Sequence, residues 1–255
     1  MTHSAGRTTA RRPRRPRRRA TVTGVIGELL VTASVLVFLF LGWQVWLNDI
    51  IVGAQQTDAA SELAEQWQSG PAAPAVQAPA APGEPVVAAA PEEGATFANL
   101  IIPRLGADYR RSIAEGTGHS VLSNKAAGVG HYVETQMPGA VGNFAIAAHR
   151  TTYGAPFHDV ENLLVGDSIY VENADGWYRY VYRTTEYVRP TGVAVLQPVP
   201  QAEGAASTDR IITLTSCHPL FSAAERIISY GVFDTWYPRA GGPPAEIAAI
   251  VQAGA

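Results

Sequence analysis

The chain has 255 residues, 47% of them hydrophobic and 16% charged, enough to build a core. Eight of its 19 basic residues are arginines within the first 20 positions, so the remainder carries 11 basic against 22 acidic residues, and nothing beyond the tail reads as nucleic-acid binding. One cysteine, Cys217, excludes an intramolecular disulfide and leaves either a buried thiol or a reactive one.

Residues 1–20 hold those arginines with Pro13 and Pro16 among them and no acidic residue, which reads as a solvated basic tail. The stretch 22–47 follows, and from Leu29 to Leu47 there is no formal charge. Nineteen residues at about 1.5 Å each reach about 28 Å, close to the hydrocarbon thickness of a bilayer. Trp43 and Trp46 suit an interfacial belt, and the arginine flank suits cytoplasmic retention, so the expectation is a single transmembrane helix with its N-terminus inside. A cleaved signal peptide also begins with a basic region. Here the apolar span is too long for one, and no small-residue site precedes Val52-Gly-Ala54.

Residues 48–95 read as a juxtamembrane stalk, with a short helix over 55–68 presenting Leu63 and Trp67, and then a Pro/Ala-rich extended linker over 70–95. The folded unit is expected over 96–238, followed by a tail over 239–255 that includes a possible short helix at 244–252. Strand-like runs recur at 99–102, 111–113, 144–148, 168–171, 177–188, 210–216 and 226–233, separated by Gly, Asn and Pro clusters, so the domain is all-β with short helices, one of them near 120–125. Tyr178, Tyr180 and Tyr182 alternate onto one face and read as strand packing.

The histidines divide by context. His3 lies in the tail; His119, His131, His158 and His218 sit in loop-like stretches, with His218 beside the thiol; His149 ends the apolar run Phe144-Ala-Ile-Ala-Ala148, at the mouth of a scaffold. Cys217 ends a strand that places Ile211, Thr213, Thr215 and Cys217 on one face, and Arg226 opens the next strand. A hairpin between the two brings Cys217 and Arg226 together, where a guanidinium can serve a thiolate or an oxyanion, and imidazole is the usual proton acceptor for such a thiol.

These residues carry a resemblance. Thr213-Leu-Thr-Ser-Cys217, with Arg226 nine residues downstream and Asn143-Phe-Ala-Ile-Ala-Ala-His149 upstream, resembles the sortase signature. Gly130-His-Tyr132, Gly142 to Arg150, Val165-Gly-Asp167, Asp175-Gly-Trp177 and Val195-Leu-Gln-Pro-Val-Pro200 are similar to class E sortases, the housekeeping type of high-GC Gram-positive bacteria. Ser216 departs from the usual threonine but keeps the hydroxyl.

The resemblance implies a closed eight-stranded sortase-type β-barrel outside the membrane. It implies Cys217 as nucleophile, His149 as proton-transfer partner and Arg226 as oxyanion and substrate anchor, with Tyr132, Thr215 and Ser216 on the substrate side. The implied reaction cleaves an LAXTG- or LPXTG-type sorting signal between Thr and Gly through a thioester. The partners implied are secreted proteins bearing that signal and an amine of a peptidoglycan precursor or a pilin. No cofactor is expected and no metal site, although Glu161, Asp167 and Glu172 imitate the loop carboxylates of calcium-binding sortases. Three other readings compete: a pilin-polymerising sortase, against which the chain lacks an Asp-Pro lid dipeptide; an L,D-transpeptidase, whose motif joins Ser, His, Gly and Cys closely; and a membrane-anchored barrel that only binds cell wall.

Overall fold

The computed structural model describes residues 21–69 and 83–252, so the basic tail, linker residues 70–82 and the Trp46 side chain of the expected aromatic belt lie outside the described residues. The chain divides into two compact units, residues 1–42 and 43–255. Helix α1, Val22–Gly42, is the one described helix long and apolar enough to cross a membrane, and none of its side chains is buried.

The second unit is built on eight strands: β1 Thr96–Ile101, β2 Arg110–Glu115, β3 Val129–His131, β4 Gly142–Ala148, β5 Ser168–Glu172, β6 Gly176–Val188, β7 Arg210–His218 and β8 Glu225–Pro238. They close into a barrel in the order β1-β2-β3-β4-β7-β8-β6-β5. Two pairs, β2–β3 and β4–β7, are parallel and the others antiparallel. A parallel pair needs a long crossover. Between β4 and β7 that crossover contains β5 and β6, and these strands in turn complete the barrel by pairing with β1 and β8.

Alternation decides what fills the interior. Phe144, Ile146 and Ala148 of β4 and Ile212 and Leu214 of β7 point into one core with Ile113, Val129, Ile169, Tyr178, Tyr180 and Tyr182. The tyrosine face is therefore core packing. Strand β3 escaped the sequence reading because it is only three residues long and sits among glycines. His131, read as a loop histidine, is on that strand and wholly buried.

The segment expected to be a stalk is structured differently. Helix α2, Asn48–Ser69, packs on the barrel as part of the second unit and buries Val52, Gly53, Gln56, Ala60 and Ala64 along one stripe. Small residues at three of these five positions let the helix lie close to β2. Its polar contacts with β1 and β2 are Asn99 Nδ2 to the Ala60 carbonyl (2.8 Å), Arg110 Nη1 to Ser61 Oγ (3.3 Å) and Arg111 Nη1 to Thr57 Oγ1 (2.6 Å). Helix α1 ends at Gly42, and a π-helical turn, Trp43–Leu47, leads into α2. Part of the expected linker also lies on the barrel, since Tyr178 Oη donates to the Val86 carbonyl (2.6 Å). The C-terminal segment does pack: Ile247 and, from helix α4 (Ala248–Gln252), Ile250 and Val251 cover Ile101, Tyr170 and Trp177.

Candidate active site

Strand register assembles the site. Cys217 of β7 pairs with Arg226 of β8 across the antiparallel hairpin. On the other flank β4 runs parallel to β7 with Ala147 opposite Thr215, and two residues further along each chain come His149 and Cys217. Directly paired residues project to the same face of a sheet. Cys217 and Arg226 therefore project together on the outer face, and His149, the residue directly after β4, falls in the same row where the β4–β7 register is continued by two residues, while Ile212 and Leu214 occupy the inner face. All three are partly exposed.

Arg150 braces the thiol's backbone from below. Its side chain is almost fully buried and donates from Nη1 to the Cys217 carbonyl (3.3 Å) and from Nε to the His158 carbonyl (3.2 Å). Nη1 also lies 3.1 Å from His218 Nδ1. Glu161 Oε2 is 2.7 Å from Nη2, an electrostatic contact without hydrogen-bond alignment. A second fastener is Ser216, whose hydroxyl donates to the Ala148 carbonyl (2.8 Å), the residue before His149. Ser216 is buried on the inward side of β7, so its observed contact is strand-to-strand; Thr215, facing outward, is the one of the pair that meets Tyr132 (Oη to Oγ1, 3.1 Å).

His149 sits between two loops. Ser123 Oγ lies 3.4 Å from His149 Nε2 and 2.6 Å from His119 Nδ1, and the Tyr153 ring is tilted over the imidazole with centroids 5.0 Å apart. Burial and the neighbouring His119 hold the His149 pKa below the ordinary imidazole value, with the Asp49 carboxylate opposing them. His119 and Ser123 belong to the short helix α3, His119–Leu122, and its C-cap. Arg226 Nη1 donates to the carbonyls of Ala223 (3.1 Å) and Glu225 (2.9 Å), which ties the guanidinium to its own turn; its other N–H groups have no partner among the described residues.

The segment before β7 is fastened beside β4: Asn143 Nδ2 donates to the carbonyls of Val195 (3.0 Å) and Gln197 (3.1 Å), and Asn143 Oδ1 accepts from Thr213 Oγ1 (2.6 Å). These buried bonds fasten the Val195-Leu-Gln-Pro segment to the strands. A cavity of ≈ 440 Å³ beside this segment is lined by Tyr132, Thr135, Val193, Leu196 and Gln197 together with Glu93 and Glu134.

The three carboxylates that imitate a calcium site are dispersed, each with its own arginine: Glu161 with Arg150, Asp167 with Arg104 (2.8 Å) and Glu172 with Arg239 (3.3 Å). Among the described residues no group of three or more His, Cys, Asp or Glu is disposed to hold a metal ion.

Sequence reading missed Asp49, Gln56, Ser123 and Arg150. The arginine had a signal, since it directly follows the strand-ending histidine. The others come from segments whose proximity to β4 only the folded chain creates.

A closed barrel of this strand order, with cysteine, histidine and arginine in one row at the ends of β7, β4 and β8, defines a sortase-type fold. The chain belongs to the sortase family: the model of the sortase domain matches residues 100–234. Sortases are cysteine transpeptidases. Within the family its similarity is to class E. Sortase SrtE1 of Streptomyces coelicolor is 36% identical over 238 residues, 91% of this chain and 63% of that longer protein. The structure of sortase E from Streptomyces avermitilis matches with a TM-score of 0.55 and 38% identity over 61% of this chain and 99% of that one. The SrtA sortase from Actinomyces oris matches with a TM-score of 0.60 and 40% identity, covering 64% of this chain and 93% of the other.

Proposed function

We propose that the chain is a membrane-anchored transpeptidase that cleaves an LAXTG- or LPXTG-type sorting signal between Thr and Gly and joins the released protein to a cell-wall amine. The observation that carries this reading is the row His149–Cys217–Arg226 set by strand register. The Cys217 thiolate attacks the threonine carbonyl carbon and forms a C–S bond, and Arg226 donates hydrogen bonds to the oxyanion. The C–N bond to glycine then breaks, with His149 delivering the proton to the departing amine. In the second half-reaction an acceptor amine attacks the thioester, the C–S bond breaks, the thiolate is regenerated and the amine proton passes to His149.

Tyr132, which lines the ≈ 440 Å³ cavity, binds the signal together with Thr215, its hydrogen-bond partner; Ser216, bonded inward, supports them indirectly. Helix α1 spans the bilayer with the arginine tail in the cytoplasm, which puts the barrel outside, where secreted proteins and peptidoglycan precursors or pilin amines meet it. The test is to incubate the full chain in detergent micelles with LAXTG and LPXTG peptides and a glycine or diamino-acid acceptor. Mass spectrometry should find cleavage after Thr and a new amide to the acceptor. Intact peptides in both arms, with Cys217 still open to alkylation, would defeat the reading.

A further inference from the structure

The imidazole of His149 is held through the loops on either side of it, and both loops are bound to helix α2. On one side is the end of α3, where Ser123 reaches His149; on the other is the turn 150–155, where Tyr153 covers it. Gln56 is wholly buried, and its Nε2 donates to both the Asn124 carbonyl (3.2 Å) and the Tyr153 carbonyl (2.9 Å). About two turns earlier on the helix, Asp49 Oδ1 accepts from the Gly154 N–H (3.1 Å). A single amide thus bridges the two walls of the site, and a single carboxylate holds the second of them.

The loops are shaped for this bridge. Gly128 and Gly154 have φ of +80° and +81°, and an added Cβ would lie 2.3 Å from Gln56 Nε2 at the first and 3.0 Å from the Gly53 backbone N at the second. Tyr153, with φ 56°, holds a left-handed conformation unusual for a residue with a side chain, and its carbonyl is one of the two that Gln56 binds. The contacts that dock the rest of α2, at Ala60 and Ser61, lie further along the helix and touch neither loop.

We propose that α2 is a positioning element of the transpeptidation site, with Asp49 and Gln56 fixing the orientation of His149 through residues 124 and 153–154. This rests on the catalytic reading above. Neither residue reaches the reacting atoms, so the expected signature is a loss in kcat with little change in KM, because the cavity at Tyr132 is built from other segments.

The test uses the full chain in detergent micelles with a sorting-signal peptide. Asp49→Ala should lower kcat about tenfold and leave KM within about twofold. Asp49→Asn should keep at least about half of kcat, since its Oδ1 still accepts from Gly154 N. Gln56→Met, which keeps the length and removes the donor, should behave like Asp49→Ala, and Ser61→Ala should match the unmodified protein. Wild-type kcat in Asp49→Ala, or equal impairment of Asp49→Asn and Asp49→Ala, would overturn the proposal. If Gln56→Met does not fold, the Asp49 pair decides alone. If the unmodified protein forms no thioester, the catalytic reading fails and the positioning claim is read from NMR relaxation of the His149 ring: greater ring mobility in Asp49→Ala but not in Asp49→Asn supports it, and unchanged mobility in both refutes it.

Discussion

Two histidines on neighbouring strands have opposite surroundings. His131 of β3 is wholly buried: Nδ1 lies 2.9 Å from Glu115 Oε2, Nε2 lies 3.0 Å from Thr135 Oγ1 and 3.1 Å from the Gln136 carbonyl, and the ring stacks on Phe144 at 5.0 Å. Both ring nitrogens and one face are occupied. His149, one strand over and just past the end of β4, is partly exposed, has among the described residues only the long Ser123 hydrogen-bond contact at Nε2, and falls beside Cys217 where the β4–β7 register is continued by two residues. A satisfied imidazole fixes structure, whereas an imidazole with unspent hydrogen-bonding capacity can exchange a proton with a substrate. Residue type was the same in both cases; strand position and partners separate them.

The sharpest break of this comparison is to remove each ring. His149→Ala should lower kcat/KM by about 10²–10⁴-fold while leaving the unfolding midpoint nearly unchanged, measured by peptide cleavage and urea denaturation side by side. Glu115→Leu, which strips His131 of its buried partner, should do the reverse: a loss of roughly 1–3 kcal/mol in stability, with activity per folded molecule kept within about threefold. Large catalytic loss without destabilisation in Glu115→Leu would mean that the two regions are not separate.

Smaller effects refine the open region. Tyr132→Phe deletes the hydroxyl that meets Thr215 and should raise KM by a few-fold, in line with about 0.5–1.5 kcal/mol for one hydrogen bond, with kcat little changed. His119→Gln removes a neighbour that disfavours the imidazolium, so the His149 midpoint followed by NMR should move upward; a downward shift would contradict the assigned cause. The same lowered pKa has a sign for stability. Between the folded midpoint and the unfolded value of 6.5, the unfolded chain binds the proton more readily, so the His149 contribution to stability rises with pH across that window and is lost as the pH falls through it.

Much of this was legible before folding. The alternation in Arg210–Cys217 gave the faces of β7 correctly, and the Pro219-containing loop announced the hairpin that pairs Cys217 with Arg226. The core tyrosines of β6 were equally readable from their period of two. What stayed hidden depends on distant pairing. His131 looked like a loop residue because its glycine neighbours say nothing about β2 and β4, the two strands that flank β3. Helix α2 looked like a stalk because its buried stripe, apart from Val52, is made of Gly, Ala and Gln, whose small apolar area gives no strong amphipathic signal even though the small residues permit close approach. The Asp49 and Gln56 contacts, between segments about 70 to 105 positions apart, have no local signature at all.

The central claim is that the outer row, and not the buried histidine, carries the acyl transfer. Its most direct measurement is intact-mass spectrometry of the full chain mixed with a sorting-signal peptide and no acceptor amine, followed by peptide mapping and hydroxylamine treatment. We expect a hydroxylamine-labile adduct with the mass of the peptide's acyl fragment on Cys217, absent in Cys217→Ala and strongly reduced in His149→Ala. An adduct that persists in Cys217→Ala, or signal cleavage that proceeds unchanged without the thiol, would contradict it.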